Sequence, residues 1–309
     1  MPRPGTVRTS LLREIRSLKG RVRLKIRRTR KDLHWKWCRL GLQTRSFLLR
    51  GRPVSVQVNS GCLHMVPRGA TAAQVWGGMI ERAELQFILD ALRPDMTLFD
   101  VGANAGLFAI AAAMKMAHVR VYAFEPYSWA YQLLEQNLRL NGIDNVTAVR
   151  AALAGHVGEA VLQLNAAGRD ELNTIGRATH PDCRVVAQER VPVTTVDAFI
   201  EAQGIARVDV MKVDVQGAEL PVFRGARKLL ERNDAPLILY TGYSSNTRGF
   251  GYHPVETMWR LGDCGYSLFV LDCETGEVAL RPPGPEYDAV VVAAKPGHPA
   301  YRKLAEGSR

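Results

Sequence analysis

The fold class of this chain follows from the stretch Thr97-Leu-Phe-Asp-Val-Gly-Ala-Asn-Ala-Gly-Leu-Phe-Ala-Ile110, which is followed by Val119-Arg-Val-Tyr-Ala-Phe-Glu-Pro126. A short apolar run ends at Asp100, breaks into a glycine-rich turn and leads into a segment rich in helix formers. A second β-rich run ends in the carboxylate of Glu125. This order of strand, glycine turn, helix and acid-tipped strand predicts a parallel α/β sheet with a nucleoside-binding crevice at the carboxyl ends of its strands.

The residue types in this stretch suit such a crevice. Gly102 and Gly106 allow the backbone to turn tightly and to approach a ligand without a Cβ atom in the way. Glu125 can accept hydrogen bonds from two vicinal ribose hydroxyls, and each bond to a charged group contributes roughly 1.5–3 kcal/mol. We therefore expect its removal to weaken nucleoside binding by about one to two orders of magnitude.

The glycine spacing distinguishes between two kinds of nucleoside ligand. A dinucleotide fingerprint requires Gly-x-Gly-x-x-Gly, which brings a pyrophosphate against a helix N-terminus. Here Asn104 stands where the middle glycine should be. The pattern favours a ligand with ribose and adenine but no phosphate, of which S-adenosylmethionine is the commonest. A nicotinamide-dependent oxidoreductase remains an alternative with the same fold.

Further motifs carry a family resemblance. The chain contains Val208-Asp-Val-Met-Lys-Val-Asp-Val-Gln-Gly-Ala-Glu-Leu-Pro-Val-Phe-Arg-Gly-Ala226, with Val193-Thr-Thr-Val-Asp-Ala-Phe199 just upstream. Together with Asp-Val-Gly-Ala-Asn-x-Gly and Phe-Glu-Pro, these motifs resemble the FkbM family of S-adenosylmethionine-dependent methyltransferases over residues 75–272. The resemblance implies a Rossmann-like, doubly wound, seven-stranded class I methyltransferase sheet with a terminal β-hairpin. It also implies methyl transfer onto an oxygen, commonly a hydroxyl of a sugar, a polyketide or another small-molecule natural product.

The resemblance also assigns site residues in this chain. The implied cofactor-binding residues are Asp100, Gly102, Ala103, Asn104, Gly106, Glu125 and Pro126. The implied residues that face cofactor and acceptor are Asp214, Gly217 and Glu219. Two positions depart from the family pattern, because no acid is present near Tyr240 and Asp95 stands where a turn glycine is usual.

A hydroxyl acceptor must lose its proton as it attacks, so a general base would accelerate the reaction by roughly two to four orders of magnitude. The candidates are Asp214 at a strand end, Glu219 in the first turn of the next helix, and His253 in a glycine-rich loop. Each has a structural alternative: Asp214 could cap that helix, Glu219 is favoured there by the helix dipole, and a lone loop histidine is usually solvated. Lys212 is expected to face the far side of the sheet. No cluster has chelating spacing, so no metal site is predicted.

Periodicity and turn signals place the remaining elements. Strands are expected over 97–101, 119–125, 146–151, the run before Asp214, 236–241, 266–271 and 288–293. Helices are expected over 81–92, 106–116, 128–140 with Ser128 as N-cap, 217–231 and 254–262. The predicted divisions are a basic extension over 1–52, a cap over 53–95, the methyltransferase domain over 96–295 and a tail over 296–309.

The charge of the chain is concentrated at its beginning. Residues 1–52 carry a net charge of +15 and the remainder −4, within a total of +11. Apolar residues recur at helical spacing among the arginines, so this segment could dock on an anionic membrane surface or on a protein, or could be a solvated extension. Binding of nucleic acid is the least favoured use. A third alternative for the whole chain is a binding protein with a degenerate cofactor pocket.

Composition agrees with an α/β enzyme. The apolar content of 47% is enough for a sizeable core. The five cysteines are widely spaced without a metal-type pair, which predicts reduced thiols in a cytoplasmic protein. We also expect no membrane-spanning helix and no signal peptide, because no apolar run approaches about 20 residues. The oligomeric state is left open by the sequence.

Overall fold

The computed structural model describes residues 53–58, 61–76, 81–166, 169–280 and 288–306. The basic extension over 1–52 lies outside these ranges. The docking role predicted for it therefore stays a prediction. Within the described ranges, no helix is long and apolar enough to cross a membrane. The division of the chain at residues 52, 95 and 295 stays a prediction.

The described residues form thirteen strands and ten α-helices. The strands are β1 Val54–Val58, β2 Gly61–Met65, β3 Thr97–Val101, β4 Arg120–Phe124, β5 Val146–Val149, β6 Ala152–Leu153, β7 Gly158–Asn165, β8 Val185–Thr194, β9 Val210–Val213, β10 Leu237–Gly242, β11 Ser267–Leu271, β12 Val278–Leu280 and β13 Ala289–Ala294. The helices are α1 Gly69–Trp76, α2 Arg82–Ala91, α3 Leu107–Lys115, α4 Ser128–Leu140, α5 Val196–Gln203, α6 Glu219–Arg224, α7 Arg227–Glu231, α8 Ser244–Thr247, α9 Pro254–Asp263 and α10 Tyr301–Glu306.

A central sheet of eight strands has the order β12-β11-β13-β10-β9-β3-β4-β5. The strands from β10 to β5 pair in parallel, whereas β13 is antiparallel to both β10 and β11. The predicted doubly wound sheet with a terminal hairpin is confirmed, and β12 adds an eighth strand at the edge. Every residue of β3 and β9 is buried, as expected for parallel strands covered on both faces.

Two hydrophobic clusters lie on the two faces of this sheet. One joins the sheet to α2, α3 and α4, with Ile88, Ile110 and Leu134 fully buried or nearly so. The other joins it to α6, α7 and α9 and includes Phe223 and Leu261. Helices on both faces leave only the strand ends accessible, so the site must lie at an end of the sheet.

Two smaller units flank the sheet. The β1–β2 hairpin and α1 lie ahead of the core, where the sequence predicts a cap. A three-stranded sheet of order β6-β8-β7 forms an insertion between the third and fourth parallel strands of the central sheet. Between β7 and β8 the insertion contains a short 3₁₀ turn, Asp170–Leu172, which reaches the site described below.

Two local predictions are wrong. Tyr127, and not Ser128, is the N-cap of α4, because the Ser128 hydroxyl donates to Glu189 Oε2 at 2.9 Å instead of capping the helix. The helix expected over 217–231 is two helices, α6 and α7. The break falls at Gly225, where a Cβ atom would lie 2.1 Å from the carbonyl oxygen of Ala154.

Candidate functional site

A cavity opens at the carboxyl ends of β3, β4 and β9. Its wall includes Gly102 and Asn104 from the turn after β3, Glu125 and Pro126 after β4, and Asp214 after β9. The structure therefore brings these predicted site residues together, although they come from three separate parts of the sequence. Parallel α/β sheets bind their ligands at this edge.

The turn after β3 is held tightly between its two neighbouring strands. Gly102 has a φ of +81°, and a Cβ atom on it would lie 1.9 Å from the carbonyl oxygen of Asp214. The backbone N–H groups of Gly102 and Ala103 donate to the carbonyl of Phe124, at 3.0 and 2.9 Å. Only glycine fits at position 102, for reasons of both backbone conformation and space.

The other predicted cofactor residues shape the turn without lining the cavity. Asp100 is fully buried, and its Oδ2 accepts a hydrogen bond from Ala109 N at 3.1 Å, which ties the strand end to the start of α3. Ala103 packs into the core. Gly106 has a φ of +91°, and a Cβ atom there would lie 2.4 Å from Leu134 Cδ1.

Glu125 lies in the wall of the cavity with its carboxylate fixed by the backbone. Its Oε2 accepts from Asn104 N at 2.9 Å and its Oε1 from Tyr127 N at 2.9 Å. Burial raises the pKa of Glu125 to about 7, against the opposing effect of these two N–H donors. A carboxylate offers about four acceptor positions, so two remain for a ligand.

The insertion contributes two acids to the cavity wall, Asp170 and Glu171, that the sequence patterns did not predict. Asn104 accepts a hydrogen bond from Thr71 Oγ1 at 2.8 Å and donates from Nδ2 to Asp170 Oδ2 at 3.2 Å. Asp170 and its neighbour Glu171 both line the cavity. The Oε2 atom of Glu171 is buried and has no hydrogen-bond partner among the described residues. Nothing in the local sequence marks either acid, because the insertion reaches the site only through its fold.

Lys212 also lines the cavity, so the expectation that it faces the far side of the sheet is wrong. It pairs in register with Asp100 across β9 and β3, and its Nζ lies 3.5 Å from Asp100 Oδ1 and 3.2 Å from the carbonyl of Gly102. Burial lowers the pKa of Lys212, but Asp100 and Asp214 outweigh that effect, so the pKa is raised. The sequence did contain a signal for this position. Side chains two residues apart lie on the same face of an extended segment, so the predicted place of Asp214 at the cavity also indicated that side for Lys212.

Asp214 lies in a turn held by Glu219. The Glu219 carboxylate is buried, and its Oε1 accepts from the N–H groups of Val215 and Gly217, both at 3.2 Å. Burial raises the pKa of Glu219 to about 7. The hydroxyl of Tyr252 donates to the carbonyl of Gly217 at 2.7 Å. Glu219 therefore supports the turn and does not line the cavity.

The remaining candidates lie away from the cavity wall. His253 is the N-cap of α9, where its Nδ1 accepts from Val255 N at 3.3 Å and its own N–H donates to Glu256. Tyr240 is buried beside Phe223, and its hydroxyl has no hydrogen-bond partner within the part of the chain that the structure describes. Among the described residues, no group of three or more His, Cys, Asp or Glu could hold a metal ion.

The sequence is similar to a known protein family and to several curated proteins. The family model described as the methyltransferase FkbM domain matches residues 100–268. Methyltransferase sdnD of Sordaria araneosa is 31% identical over 153 residues, which cover 41% of this chain and 59% of that protein. The first curated relative is thus matched over about three fifths of its length.

Two further relatives have names that state an acceptor. The 31-O-demethyl-FK506 methyltransferase FkbM of Streptomyces tacrolimicus is 27% identical over 202 residues, which cover 52% of this chain and 74% of that protein. The hexuronic acid methyltransferase AglP of Haloferax volcanii is 27% identical over 155 residues, which cover 49% of this chain and 58% of that protein.

Proposed function

The chain belongs to the FkbM methyltransferase family, and we propose that it transfers a methyl group from S-adenosylmethionine to a hydroxyl of a sugar, a polyketide or another small-molecule natural product. The observation that carries this proposal is Glu125, a buried carboxylate at the tip of β4 that faces the cavity and is fixed by two backbone N–H groups. The names of two relatives, one acting on an FK506 derivative and one on a hexuronic acid, support the acceptor class.

The residues around the cavity fit this cofactor by their chemistry. Its wall offers acceptors and negative charge from Glu125, Asp170, Glu171 and Asp214, and Lys212 is the one cation among the described residues that line it. S-adenosylmethionine carries matching groups: ribose hydroxyls and an adenine amino group as donors, a sulfonium and an ammonium as cations, and one carboxylate. An ionised acceptor strengthens each of these hydrogen bonds.

The proposed roles follow from position. Glu125 would hold the ribose hydroxyls, and Gly102 with Asn104 would form the floor of the site. Lys212 would face the carboxylate of the methionine part, and Asp214 the reacting end. When bound, S-adenosylmethionine supplies a methyl group already activated on a sulfonium, so the chain mainly has to align an acceptor, which can contribute several kcal/mol.

Glu219 and His253 enter this proposal differently from Asp214. Glu219 would act by holding the turn that carries Asp214, and His253 would act only if the acceptor reaches the N-terminus of α9. A cytoplasmic location, predicted from the cysteine pattern, belongs to the same proposal. The degenerate-pocket alternative is not favoured, because Gly102, Asn104 and Glu125 together keep the turn and the acid in place.

Calorimetric titration with S-adenosylmethionine and with NAD tests the cofactor. We expect micromolar binding of S-adenosylmethionine, weaker by about tenfold or more in Glu125→Ala, and no binding of NAD. A well-folded protein that does not bind S-adenosylmethionine would contradict the proposal. Release of S-adenosylhomocysteine with hydroxylated sugars, polyketides and amines as acceptors would then separate transfer to oxygen from transfer to nitrogen.

A further inference from the structure

A second cavity runs along α2 as an open groove of about 1240 Å³. Its walls come from α2, from Tyr243 after β10, from the turn between β11 and β12, and from residues at the start of α10. None of the predicted site residues lines it. The proposed cofactor site therefore does not account for this groove.

Glu81 is the one described residue that lines both this groove and the cofactor cavity. It immediately precedes α2, and its carbonyl accepts from Leu85 N at 2.8 Å. Its carboxylate does not cap the helix, and no described residue forms a hydrogen bond or ion pair with it. If the groove receives the acceptor, the methyl group must pass where the groove meets the cofactor cavity, and Glu81 lies at that junction.

Several ionisable residues, most of them in the walls of the two cavities, surround Glu81. The groups that interact electrostatically with it are Asp214, Lys212, Asp100, Glu84, Tyr243 and Cys273. Glu81 is an exposed residue, and the protein around it reduces the hydration of its carboxylate. This partial loss of hydration, followed by the Asp214 carboxylate, raises the pKa of Glu81 to about 7. A base whose pKa lies near the working pH transfers protons most effectively.

We propose that Glu81 is the catalytic base, and that the acceptor reaches it through the groove along α2. The inference rests on the proposed methyltransferase function. The three candidate bases named from the sequence are already engaged: Asp214 Oδ1 accepts from Gln216 Nε2 at 3.0 Å, Glu219 holds backbone N–H groups, and His253 caps α9. Glu171 lines the cofactor cavity but not the groove.

In the proposed step the acceptor oxygen loses a proton and gains the methyl group. The acceptor O–H bond breaks, and its proton moves to the Glu81 carboxylate. The oxygen uses an electron pair to form the new O–CH₃ bond, and the pair of the sulfur–methyl bond stays on sulfur, so the sulfonium becomes a neutral thioether. The proton then leaves to solvent through the opening beside Glu81.

This position links the proton on Glu81 to the charge of the cofactor, which can be measured without knowing the acceptor. An opposite charge within about 4–6 Å lowers the pKa of a carboxyl by roughly 1–3 units. The sulfonium of S-adenosylmethionine should therefore release the proton that Glu81 holds, about half a proton per site at pH 7, whereas neutral S-adenosylhomocysteine should not. Both ligands carry the same ribose, so the contribution of Glu125 cancels in their difference.

The test is titration calorimetry at pH 7 in buffers of different ionisation enthalpy, with both ligands, on wild type, Glu81→Gln and Glu201→Gln. Glu201, on α5, is the control because it is exposed and lines neither the groove nor the cofactor cavity. We expect S-adenosylmethionine to release about half a proton more than S-adenosylhomocysteine in wild type and in Glu201→Gln, and this excess to vanish in Glu81→Gln. An excess that survives in Glu81→Gln, or that is missing in wild type, would overturn the assignment.

Turnover gives a second readout. With a hydroxylated acceptor found by release of S-adenosylhomocysteine, kcat should fall by about 100-fold or more in Glu81→Gln, with KM within about threefold. Glu201→Gln, outside both cavities, should match wild type. A kcat within tenfold of wild type would reject Glu81 as base. Wild type that binds no S-adenosylmethionine would contradict the proposed function, whereas binding with unchanged proton release in Glu81→Gln would contradict the role of Glu81 alone.

Discussion

Gly102 and Asp214 approach each other so closely that a Cβ atom on Gly102 would lie 1.9 Å from the carbonyl oxygen of Asp214. Strands β3 and β9 are paired directly, so the two strand ends cannot move apart without breaking their ladder. The turn after β3 and the turn after β9 therefore form one rigid floor, on which the rest of the cavity depends.

Gly102→Ala should abolish binding of S-adenosylmethionine and destabilise the protein by about 2–4 kcal/mol. This loss of unfolding free energy combines overpacking, which contributes about 1–3 kcal/mol, with left-handed backbone strain, which contributes about 1 kcal/mol. Binding by calorimetry and unfolding in urea measure the two effects. Gly142→Ala is the control, because Gly142 also has positive φ but nothing lies within 4 Å of its Cβ position. Equal losses in both variants would show that strain alone is responsible.

Lys212→Met should destabilise the protein by about 3–5 kcal/mol, because it leaves the fully buried Asp100 without its cation. The double variant Asp100→Asn/Lys212→Met should recover part of this loss, since no buried charge remains. Urea unfolding of the two single variants and the double variant gives the coupling free energy. Strictly additive losses would mean that the two side chains do not interact.

The unfolding free energy of the ligand-free protein should fall between pH 4.5 and about 7 because of Glu219. Burial raises its pKa from an ordinary 4.5 to about 7, so the folded state binds protons more tightly than the unfolded state in this interval. The contribution of Glu219 to the unfolding free energy is greatest below its pKa in the unfolded state. This contribution is lost as the pH rises through its pKa in the folded state, and it amounts to at most about 3 kcal/mol. Glu219→Gln keeps the Oε1 acceptor but cannot ionise, so urea unfolding at pH 5 and pH 8 should show a smaller pH effect. An unchanged pH effect would assign it to other groups.

Tyr252→Phe should destabilise the protein by about 1 kcal/mol through loss of the hydrogen bond to the Gly217 carbonyl. The ring remains, and Glu219 still holds the N–H groups of the turn, so the affinity for S-adenosylmethionine should change by less than about threefold. Thermal unfolding and calorimetry measure the two quantities. A large loss of affinity at unchanged stability would instead place Tyr252 in contact with the ligand.

Much of the fold was predictable from the sequence because its signals are local. Short apolar runs, a glycine turn and acids at strand ends are read within a few residues, and they located β3, β4, β9 and the loop residues Gly102 and Asn104. Local patterns failed where a distant contact decides the outcome. Ser128 resembles an N-cap but donates to Glu189, and α6 and α7 separate because Gly225 contacts Ala154.

The sequence by itself determined the sheet, its glycine turn and the acid Glu125, since each depends on residues that are neighbours along the chain. Only the tertiary structure decided which further side chains reach the cavity. Strand pairing turned Lys212 toward Asp100, the fold of the insertion brought Asp170 to Asn104, and the packing of α2 placed Glu81 between cavity and groove. These contacts join segments far apart in sequence, and no local periodicity encodes how such segments pack.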